Sequence, residues 1–503
     1  MEAAVSWAVE FLNRENGAFL HSPESCLPLK LSWHEHFGCK QALITCPCEG
    51  LSLKDWQLRL GQDVRIYDPD GRLAWWGYLN SVRQRKNGFD YLLSLDQMAN
   101  RVAVRFKDLT GDLPGEAGQT SWQEDLESQS IYGIKERLLH YGSLHPAAAA
   151  QVAVMQLKSR AWPLILVEPR LQGMESEPDG WVLDCRGWMH TLAWRVWPGQ
   201  SGLISHNPVQ AGTQALGDTA ENLRVAQSFL VPDSLEFINA SVRARRQGSP
   251  SDLLKISLQA DLAGKPSGLL LTSQTIQASL LASEAYSWIE MSFGTPVTLN
   301  QGQRYWLILE RTGSVDPNNH FYLGVDENLG FADGSFLIYD QTSALWESRQ
   351  PGADLIFRLS GIKEQADQMA DVVSWAGQFL SGFETDTDLT TGFPPVADLG
   401  QDCLQVFNFL MGQGDAVLTP LVASVSPSRR VQISCQPAQQ DASLLLEGDG
   451  KLTNPFGQPL QAPWQAVGRW LKSDNNQSFY LDSLELEPLQ PKLKLNPDWT
   501  TLC

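Results

Sequence analysis

The sequence predicts a multi-domain protein that is mainly β with some α structure. Its 503 residues exceed what one hydrophobic core usually organises. Apolar runs that alternate with polar residues recur every ~8–12 residues between Asx, Pro and Gly turns, which is typical of antiparallel sheets. Helical spacing is confined to a few stretches. An apolar fraction of 43% and a charged fraction of 19% are those of a folded chain.

Residues 1–110 form the first predicted domain, a β-meander or small barrel. Residues 63–67 alternate polar with apolar side chains, and a turn at 68–71 follows. Further strands are expected at 73–79 and 89–93, separated by the turn Asn87-Gly88.

Residues 111–215 are predicted to mix helices and strands. Apolar residues at helical spacing predict one helix over 131–139 and a second from Pro146, a first-turn proline, to Trp162. Strands are expected again at 164–167 and 181–188. We interpret this stretch as an α/β connecting domain.

Residues 216–361 are predicted to form an antiparallel β-sandwich inserted in the chain. Turn signals at 248–252 and 264–268 separate its apolar runs, and long helical periodicity is absent. Strands are expected at 225–231, 235–243, 253–259, 287–293, 304–309 and 354–359.

The chain then becomes helical over 362–419 and β-like again over 420–503. A weak internal echo links its two ends. Gly71-Arg72-Leu73 precedes two tryptophans and the strand 91–95, while Gly457-Gln458-Pro459-Leu460 precedes Trp464, Trp470 and the strand 479–484. Two related barrels would produce this echo, and so would chance likeness of two turn-rich segments.

Composition and charge exclude several classes of function. Lys and Arg total 38 against 57 Asp and Glu, a net charge of −19, so the chain should not bind nucleic acid by neutralising phosphates. No run is long and apolar enough for a membrane span, and residues 1–7 do not resemble a signal peptide, so we expect folding in a cytoplasm. The 18 tryptophans favour subunit interfaces and hence an oligomer.

One group of residues has the side chains of a metal site. Cys26, Cys39, Cys46 and Cys48 lie near histidines in the first 50 residues, but a single residue separates Cys46 from Cys48, which is wrong for a zinc knuckle. Cysteine often packs as a small apolar residue, so buried free thiols are the favoured interpretation over a metal site. We therefore predict no metal and no cofactor.

No serine-nucleophile elbow, phosphate-binding loop or dinucleotide fingerprint occurs in the sequence. We predict no catalytic residues and no enzymatic activity. Tyr339 and Trp346 flank a polar, loop-like stretch, and His320 follows two asparagines. Exposed aromatic rings stack on sugar faces, so these three residues are the carbohydrate-binding candidates, with packing in turns as the alternative role.

Several segments resemble the baseplate hub proteins of bacteriophage tails. In the first domain, residues 60–64, 75–79, 92–95 and 100–102 look like a tail-hub barrel. Tyr132-Gly133-Ile134-Lys135-Glu136 resembles a "YG-x-(K/R)-E" segment of phage tail proteins, and residues 187–194 resemble their "GW-x-x-TL-x-W" segment. The central domain is similar to jelly-roll-like sandwich modules of phage fibres and bacterial surface proteins, through residues 226–229, 248–250, 265–268, 288–293, 299–306 and 354–358.

The resemblance implies two hub-type β-barrel domains per chain, so that a homotrimer makes a ring of six barrels through which phage DNA passes. The implied protein is a structural component of the virion, made in the host bacterial cytoplasm. It would join the tail tube to distal tip or fibre subunits, and its sandwich could contact host surface glycan. The alternatives are a glycan-degrading or glycan-binding tail enzyme or adhesin with an accessory sandwich, and a related injection machine or cellular surface adhesin.

Overall fold

The chain folds as two units that interleave along the sequence. In the computed structural model the first unit comprises Met1–Trp197, Ala366–Thr391 and Leu399–Cys503, and the second comprises Pro198–Gln365 and Gly392–Asp398. The structure describes residues 6–22, 26–46, 51–109, 117–169, 180–327, 330–332, 334–348, 352–437, 444–446, 452–453, 458, 460, 462–473, 478–488 and 492–498. None of the helices in these ranges is long and apolar enough to cross a membrane.

The part of the first unit before residue 197 is mostly strand. Its strands are β1 Ala8–Leu12, β2 Phe19–His21, β3 Leu27–His34, β4 Gly38–Cys46, β5 Asp63–Tyr67, β6 Leu73–Lys86, β7 Phe89–Ser94, β8 Arg101–Asp108, β9 Ala117–Gln119, β10 Gln123–Glu124, β11 Glu136–Leu144, β12 Ile165–Pro169 and β13 Gly180–Arg186. Its helices are α1 Leu53–Gln57, α2 Leu126–Tyr132 and α3 Pro146–Arg160, followed by a 3-10 helix at Trp188–Trp194.

In the described part of the second unit, the regular elements are strands and short 3-10 turns. Its strands are β14 Leu203–His206, β15 Gly212–Leu216, β16 Arg224–Leu230, β17 Leu235–Gln247, β18 Leu253–Leu262, β19 Lys265–Gln277, β20 Ser287–Leu299, β21 Arg304–Arg311, β22 His320–Asp326, β23 Phe336–Asp340, β24 Leu345–Glu347, β25 Asp354–Leu355 and β26 Phe357–Glu364.

The remaining elements complete the first unit, except for one short strand. They are α4 Gln365–Ala376, β27 Gly382–Thr385, β28 Gly392–Phe393, α5 Cys403–Met411, β29 Leu421–Val425, β30 Arg430–Cys435, β31 Leu444–Leu446, β32 Leu452–Thr453, β33 Arg469–Ser473, β34 Ser478–Glu487 and β35 Lys492–Asp498. β28 pairs with β26 and belongs to the second unit.

Both ends of the chain contribute to the main sheet of the first unit. Among the described residues it has fourteen strands, in the order β2-β1-β5-β6-β13-β4-β3-β34-β33-β31-β32, with β7, β12 and β35 paired to its members. The join is the antiparallel pair β3–β34, in which Leu31 lies opposite Leu486 and Trp33 opposite Leu484. The sheet is therefore continuous from the first strands to the last, and two separate barrels remain a proposal.

The predicted helix over 131–139 is wrong after its first two residues. α2 ends at Tyr132 because Gly133 takes a left-handed backbone with φ 81°, which a glycine adopts without strain. Residues 136–144 then form β11, which runs parallel to β8. The predicted helix from Pro146 is confirmed as α3, whose Ala149 and Ala153 pack on Val102 and Val104 of β8.

The second unit is an antiparallel β-sandwich. An eight-stranded sheet has the order β14-β26-β17-β22-β15, with β20, β25 and β28 at its sides, and a six-stranded sheet has the order β19-β18-β21-β16-β23-β24. Phe237, Phe321 and Phe357 of the larger sheet and Phe229 and Leu307 of the smaller one belong to a single buried core.

This unit begins earlier than the predicted range 216–361. β14 and β15 pair with β26 and β22, so residues 203–216 are part of the sandwich. The six predicted strands of this region are present, with a break at Ile356 in the last, but β19, β22, β23 and β24 were missed. β19 was missed because Lys265-Pro266-Ser267-Gly268 is typical of a turn, whereas the turn ends at Gly264.

Replacing Phe357 by alanine should destabilise the sandwich by about 3–5 kcal/mol, because its buried ring packs between Phe229 and Phe331 and would leave a cavity. Hydrogen exchange should speed up in β17 and β21 and stay unchanged in β6. Val209→Ala, at a side chain 89% exposed, is the control. Equal effects of the two substitutions would contradict this account of the core.

Candidate functional site

A row of side chains crosses the outer face of the six-stranded sheet. The strand register places Trp346 opposite Tyr339, Tyr339 opposite Arg224, Arg224 opposite Glu310, and Glu310 opposite Lys255. These five residues are called the outer-face row. They share one face because side chains directly opposite each other across an antiparallel pair point the same way.

Contacts along the outer-face row are aromatic at one end and ionic at the other. The Tyr339 and Trp346 rings meet edge to face with centroids 5.2 Å apart, and the Arg224 guanidinium lies 5.3 Å from the Tyr339 centroid. Arg224 Nε is 2.8 Å from a Glu310 carboxylate oxygen, and Lys255 Nζ is 3.6 Å from the other. The row thus offers ring faces beside fixed donors and acceptors.

Trp346 also covers an apolar cluster on the outer face. Ala226, Trp306, Ile308 and Leu337 are buried there, and Trp346 packs against them. Trp306 Nε1 donates to Asp261 Oδ1 at 2.7 Å. Trp346 is half-buried, so its exposed part is held on a fixed base.

Two of the three carbohydrate-binding candidates lie together, and the third does not. Tyr339 and Trp346 are on strands β23 and β24, not in the loop-like stretch that the polar sequence between them predicts. His320 is only 4% exposed and begins β22 of the other sheet, where its ring meets Tyr322 at 4.7 Å. Neither ring nitrogen of His320 has a hydrogen-bond partner. Arg224 and Glu310 were missed because their proximity depends on strand register.

The two motif segments of the first unit meet at a second candidate site. Tyr132-Gly133-Ile134-Lys135-Glu136 and residues 185–195 pack together with Tyr78, Phe379 and Arg429, and these residues are called the motif junction. Glu136, whose side chain is 1% exposed, is 2.7 Å from Arg101 Nη1 and 3.2 Å from Arg195 Nε, and it accepts from Val196 N at 2.7 Å. One buried carboxylate therefore ties both motifs to β8.

Aromatic rings fill the motif junction. Tyr78 meets Trp188 at 5.4 Å and Trp194 at 5.3 Å between ring centroids, and Phe379 meets the same two tryptophans at 6.0 and 5.4 Å. The Arg429 guanidinium lies 4.1 Å above the Trp188 ring. Four distant stretches of the chain are thus joined through Trp188.

Close backbone contact explains the glycine of the second motif. A Cβ on Gly187 would lie 1.7 Å from the Cys39 carbonyl oxygen, so β4 approaches too closely for any other residue. The first motif is fixed by an amide pair, in which Gln378 accepts from Ile134 N and donates to Ile134 O, both at 2.7 Å. Both motifs act here through packing, ion pairs and backbone hydrogen bonds.

Lys135 is a buried cation of the motif junction that faces a cavity. Its Nζ donates to the Leu95 carbonyl oxygen and lies 4.5 Å from the Trp194 ring centroid. Burial lowers the pKa of Lys135 to about 7 and that of His190 to about 4. The two residues line a 440 Å³ cavity with Tyr78, whose pKa burial raises. A partly unprotonated amine is a donor, an acceptor and a weak base at neutral pH.

The cysteine and histidine group is spread over β3, β4 and their connections. Cys26 and Cys39 are buried free thiols, and burial raises the pKa of each to about 12. Cys46 is disulfide-bonded, so the prediction of free thiols is wrong there, and Cys48 lies outside the described residues. Among the residues that the structure describes, no three His, Cys, Asp or Glu side chains are grouped to hold a metal ion.

No protein-family model matches this chain, and no curated protein matches it. A carbohydrate-binding module, CBM36 in complex with calcium and xylotriose, is 18% identical over 26% of this chain and 88% of its own, with a TM-score of 0.15. The clostridial cysteine protease Cwp84 is 8% identical over 70% of both chains, with a TM-score of 0.24. The VP2 subviral particle of infectious bursal disease virus is 9% identical over 71% of this chain and 76% of its own, with a TM-score of 0.15. At these TM-scores the three likenesses carry no argument about function.

Replacing Lys135 by methionine should change how stability depends on pH. The pKa of about 7 in the folded chain lies below the ~10.4 of an unfolded lysine, so the folded state binds fewer protons between these values and wild-type stability rises with pH. The free energy of unfolding of the wild type, measured in urea relative to Lys135→Met, should rise by up to about 1.4 kcal/mol per pH unit from pH 7 to 9. Exposed Lys158→Met is the control, and parallel curves for wild type and Lys135→Met would contradict the buried-amine account.

Proposed function

We propose that this chain is a structural hub of a phage tail tip or baseplate, which connects the tail tube to distal tip components. The observation that carries the proposal is the continuous sheet of the first unit, to which both ends of the chain contribute through β3–β34. A hub with two barrel-like halves in one subunit requires N-terminal and C-terminal strands in one body. The second unit interrupts the first in sequence, as an inserted module does.

The motif junction supports the same proposal. The two segments that resemble phage tail proteins lie far apart in sequence, yet they meet in the structure, where Glu136 pairs with Arg195 and Lys135 lies against the Trp194 ring. Their side chains are engaged in packing, ion pairs and carbonyl contacts. This favours a scaffold, whose function is to hold its own shape and that of its neighbours.

The outer-face row supports a role of the sandwich in contacting host surface glycan. Sugar rings stack on aromatic faces, and their hydroxyls need neighbouring donors and acceptors. Tyr339 and Trp346 supply the rings, while Arg224, Glu310 and Lys255 supply the polar groups. This contact belongs to the outer face of one sheet and leaves the core of the sandwich unchanged.

The hub proposal predicts a trimer. Native mass spectrometry or sedimentation equilibrium of the full chain at micromolar concentration should give three times the mass of one chain, and electron microscopy should show rings. A stable monomer that hydrolyses bacterial polysaccharide would instead make it an enzyme, and the hub proposal would be wrong.

The glycan contact predicts a loss on substitution of Trp346. Against a panel of bacterial surface polysaccharides, Trp346→Ala should weaken binding of the full chain roughly fivefold, since one aromatic stacking contact contributes about 1 kcal/mol. Trp288→Ala is the matched control, because Trp288 lies on the other sheet beneath Arg358 at 4.0 Å. Equal binding by both variants, or no polysaccharide bound by the wild type, would leave the sandwich with a scaffolding role alone.

A further inference from the structure

Three arginine side chains meet at an open cavity of the first unit. Arg14, Arg65 and Arg429 line a space of about 540 Å³, together with Asp63 and Phe379. In a chain with a net charge of −19, this concentration of guanidinium groups is unusual and requires a physical reason. The hydrogen bonds and charges around the cavity supply one.

A single buried carboxylate lies close to two of these arginines. Asp63 is 2% exposed, and its Oδ2 lies 3.0 Å from Arg429 Nη2 and 3.7 Å from Arg65 Nη2. Arg429 is further held by the Arg14 carbonyl oxygen at 2.7 Å. One negative charge is thus shared by two positive ones.

Arg14 adds a third positive charge that is bound by neutral groups. Its Nη1 and Nη2 donate to the carbonyl oxygens of Tyr132 and Ile131 at 3.2 and 2.8 Å, and its Cζ lies 4.4 Å from the Phe379 ring centroid. Burial, opposed by the exposed neighbour Glu15, lowers the pKa of Arg14 to about 10. Glu15 also lines the cavity, so three guanidinium groups face two carboxylates, and the surplus is one positive charge.

Three polar atoms of the lining residues are buried without a hydrogen-bond partner. They are the donors Arg14 Nε and Arg65 Nε and the acceptor Asp63 Oδ1. All three atoms are closed to solvent, so a ligand in the cavity reaches them only after the Arg14 and Arg65 side chains rotate. Buried polar atoms are almost always paired, so this unpaired set requires a partner. A group that pairs with these three atoms must accept hydrogen bonds from two guanidinium groups and donate one to a carboxylate oxygen.

The backbone is adapted to this arrangement at two glycines. A Cβ on Gly61 would lie 2.9 Å from Arg14 Nη1, and a Cβ on Gly133 would lie 2.3 Å from a Phe379 ring carbon. Both glycines have φ 81°, a backbone that other residues rarely adopt. The two glycines thus leave space for Arg14 and for the Phe379 ring on which it stacks.

We propose that this cavity binds a phosphate group, whose oxygens accept from Arg14 and Arg65 and whose protonated oxygen donates to Asp63 Oδ1. A carboxylate could accept from the arginines but has no proton to give to Asp63, and a phosphodiester lacks the hydroxyl. Inorganic phosphate and phosphomonoesters have both. Arginine forks match the geometry of phosphate oxygens. The proposal goes beyond the hub function and does not depend on it.

The test is isothermal titration calorimetry of the full chain at pH 6.5 and constant ionic strength. Inorganic phosphate should bind saturably, and Arg65→Gln should weaken binding at least tenfold. The control is Arg83→Gln, because Arg83 also forms one ion pair on the same unit, 3.3 Å from Asp90. Equal weakening by both variants, or no phosphate binding by the wild type, would overturn the proposal.

Three further ligands and one further variant sharpen the result. Acetate and dimethyl phosphate should bind at least tenfold more weakly than phosphate, and equal affinity for either would refute the donor to Asp63. Glycerol 3-phosphate tests whether the natural ligand is an esterified phosphate or the free anion. Binding as tight as that of phosphate identifies an esterified phosphate, and weaker binding identifies the free anion. Arg65→Lys keeps the charge but removes Nε, so it should also lose affinity, and it replaces Arg65→Gln if that variant unfolds. None of these outcomes bears on the oligomer mass that tests the hub.

Discussion

The packing around Trp188 is the interaction on which the first unit depends. Its ring lies between Tyr78 from β6, Phe379 after α4 and the guanidinium of Arg429 before β30. Each of these side chains comes from a different stretch of the chain, so the three-dimensional arrangement of the unit is fixed where they meet. Aromatic rings contribute large buried areas with few rotatable bonds, which makes them effective at such a crossing. The cavity lined by Arg14 and Arg65 includes the same arginine and the same phenylalanine.

The sandwich is arranged more simply. One face of each sheet makes the core, and the other face points away from it. On the smaller sheet that free face is not uniformly polar, since Trp306 and Ile308 are buried under Trp346. The outer-face row therefore rests on its own apolar base. Rigid aromatic side chains beside ion-paired groups make a surface that needs little reordering when it binds.

Periodicity and turn chemistry predicted much of the fold, and failed where distant residues decide. The mainly β class, α3 and the strands of the sandwich core follow from local patterns. Ile131, Ile134, Leu138 and Leu139 fall at helical spacing and predict a helix, whereas residues 136–144 form β11 because they pair with β8, about 35 residues away in sequence. The same limit applies to the sites. Tyr339 and Trp346 could be found as aromatics near a polar stretch, whereas Arg224 and Arg14 acquire their roles from register and burial that no short window contains.

The pairing of β3 with β34 also determines when the sheet can close during synthesis of the chain. Trp33 can pair with Leu484 only after about 450 further residues have been made, which takes roughly 20 to 90 seconds at the rate of a ribosome. During that interval the edge of β3 is unpaired, and such edges are prone to wrong association. The sandwich has a buried core of its own and all its strands are complete long before then. Synthesis therefore favours a nascent chain in which the inserted module is finished first and the sheet that surrounds it in sequence closes last.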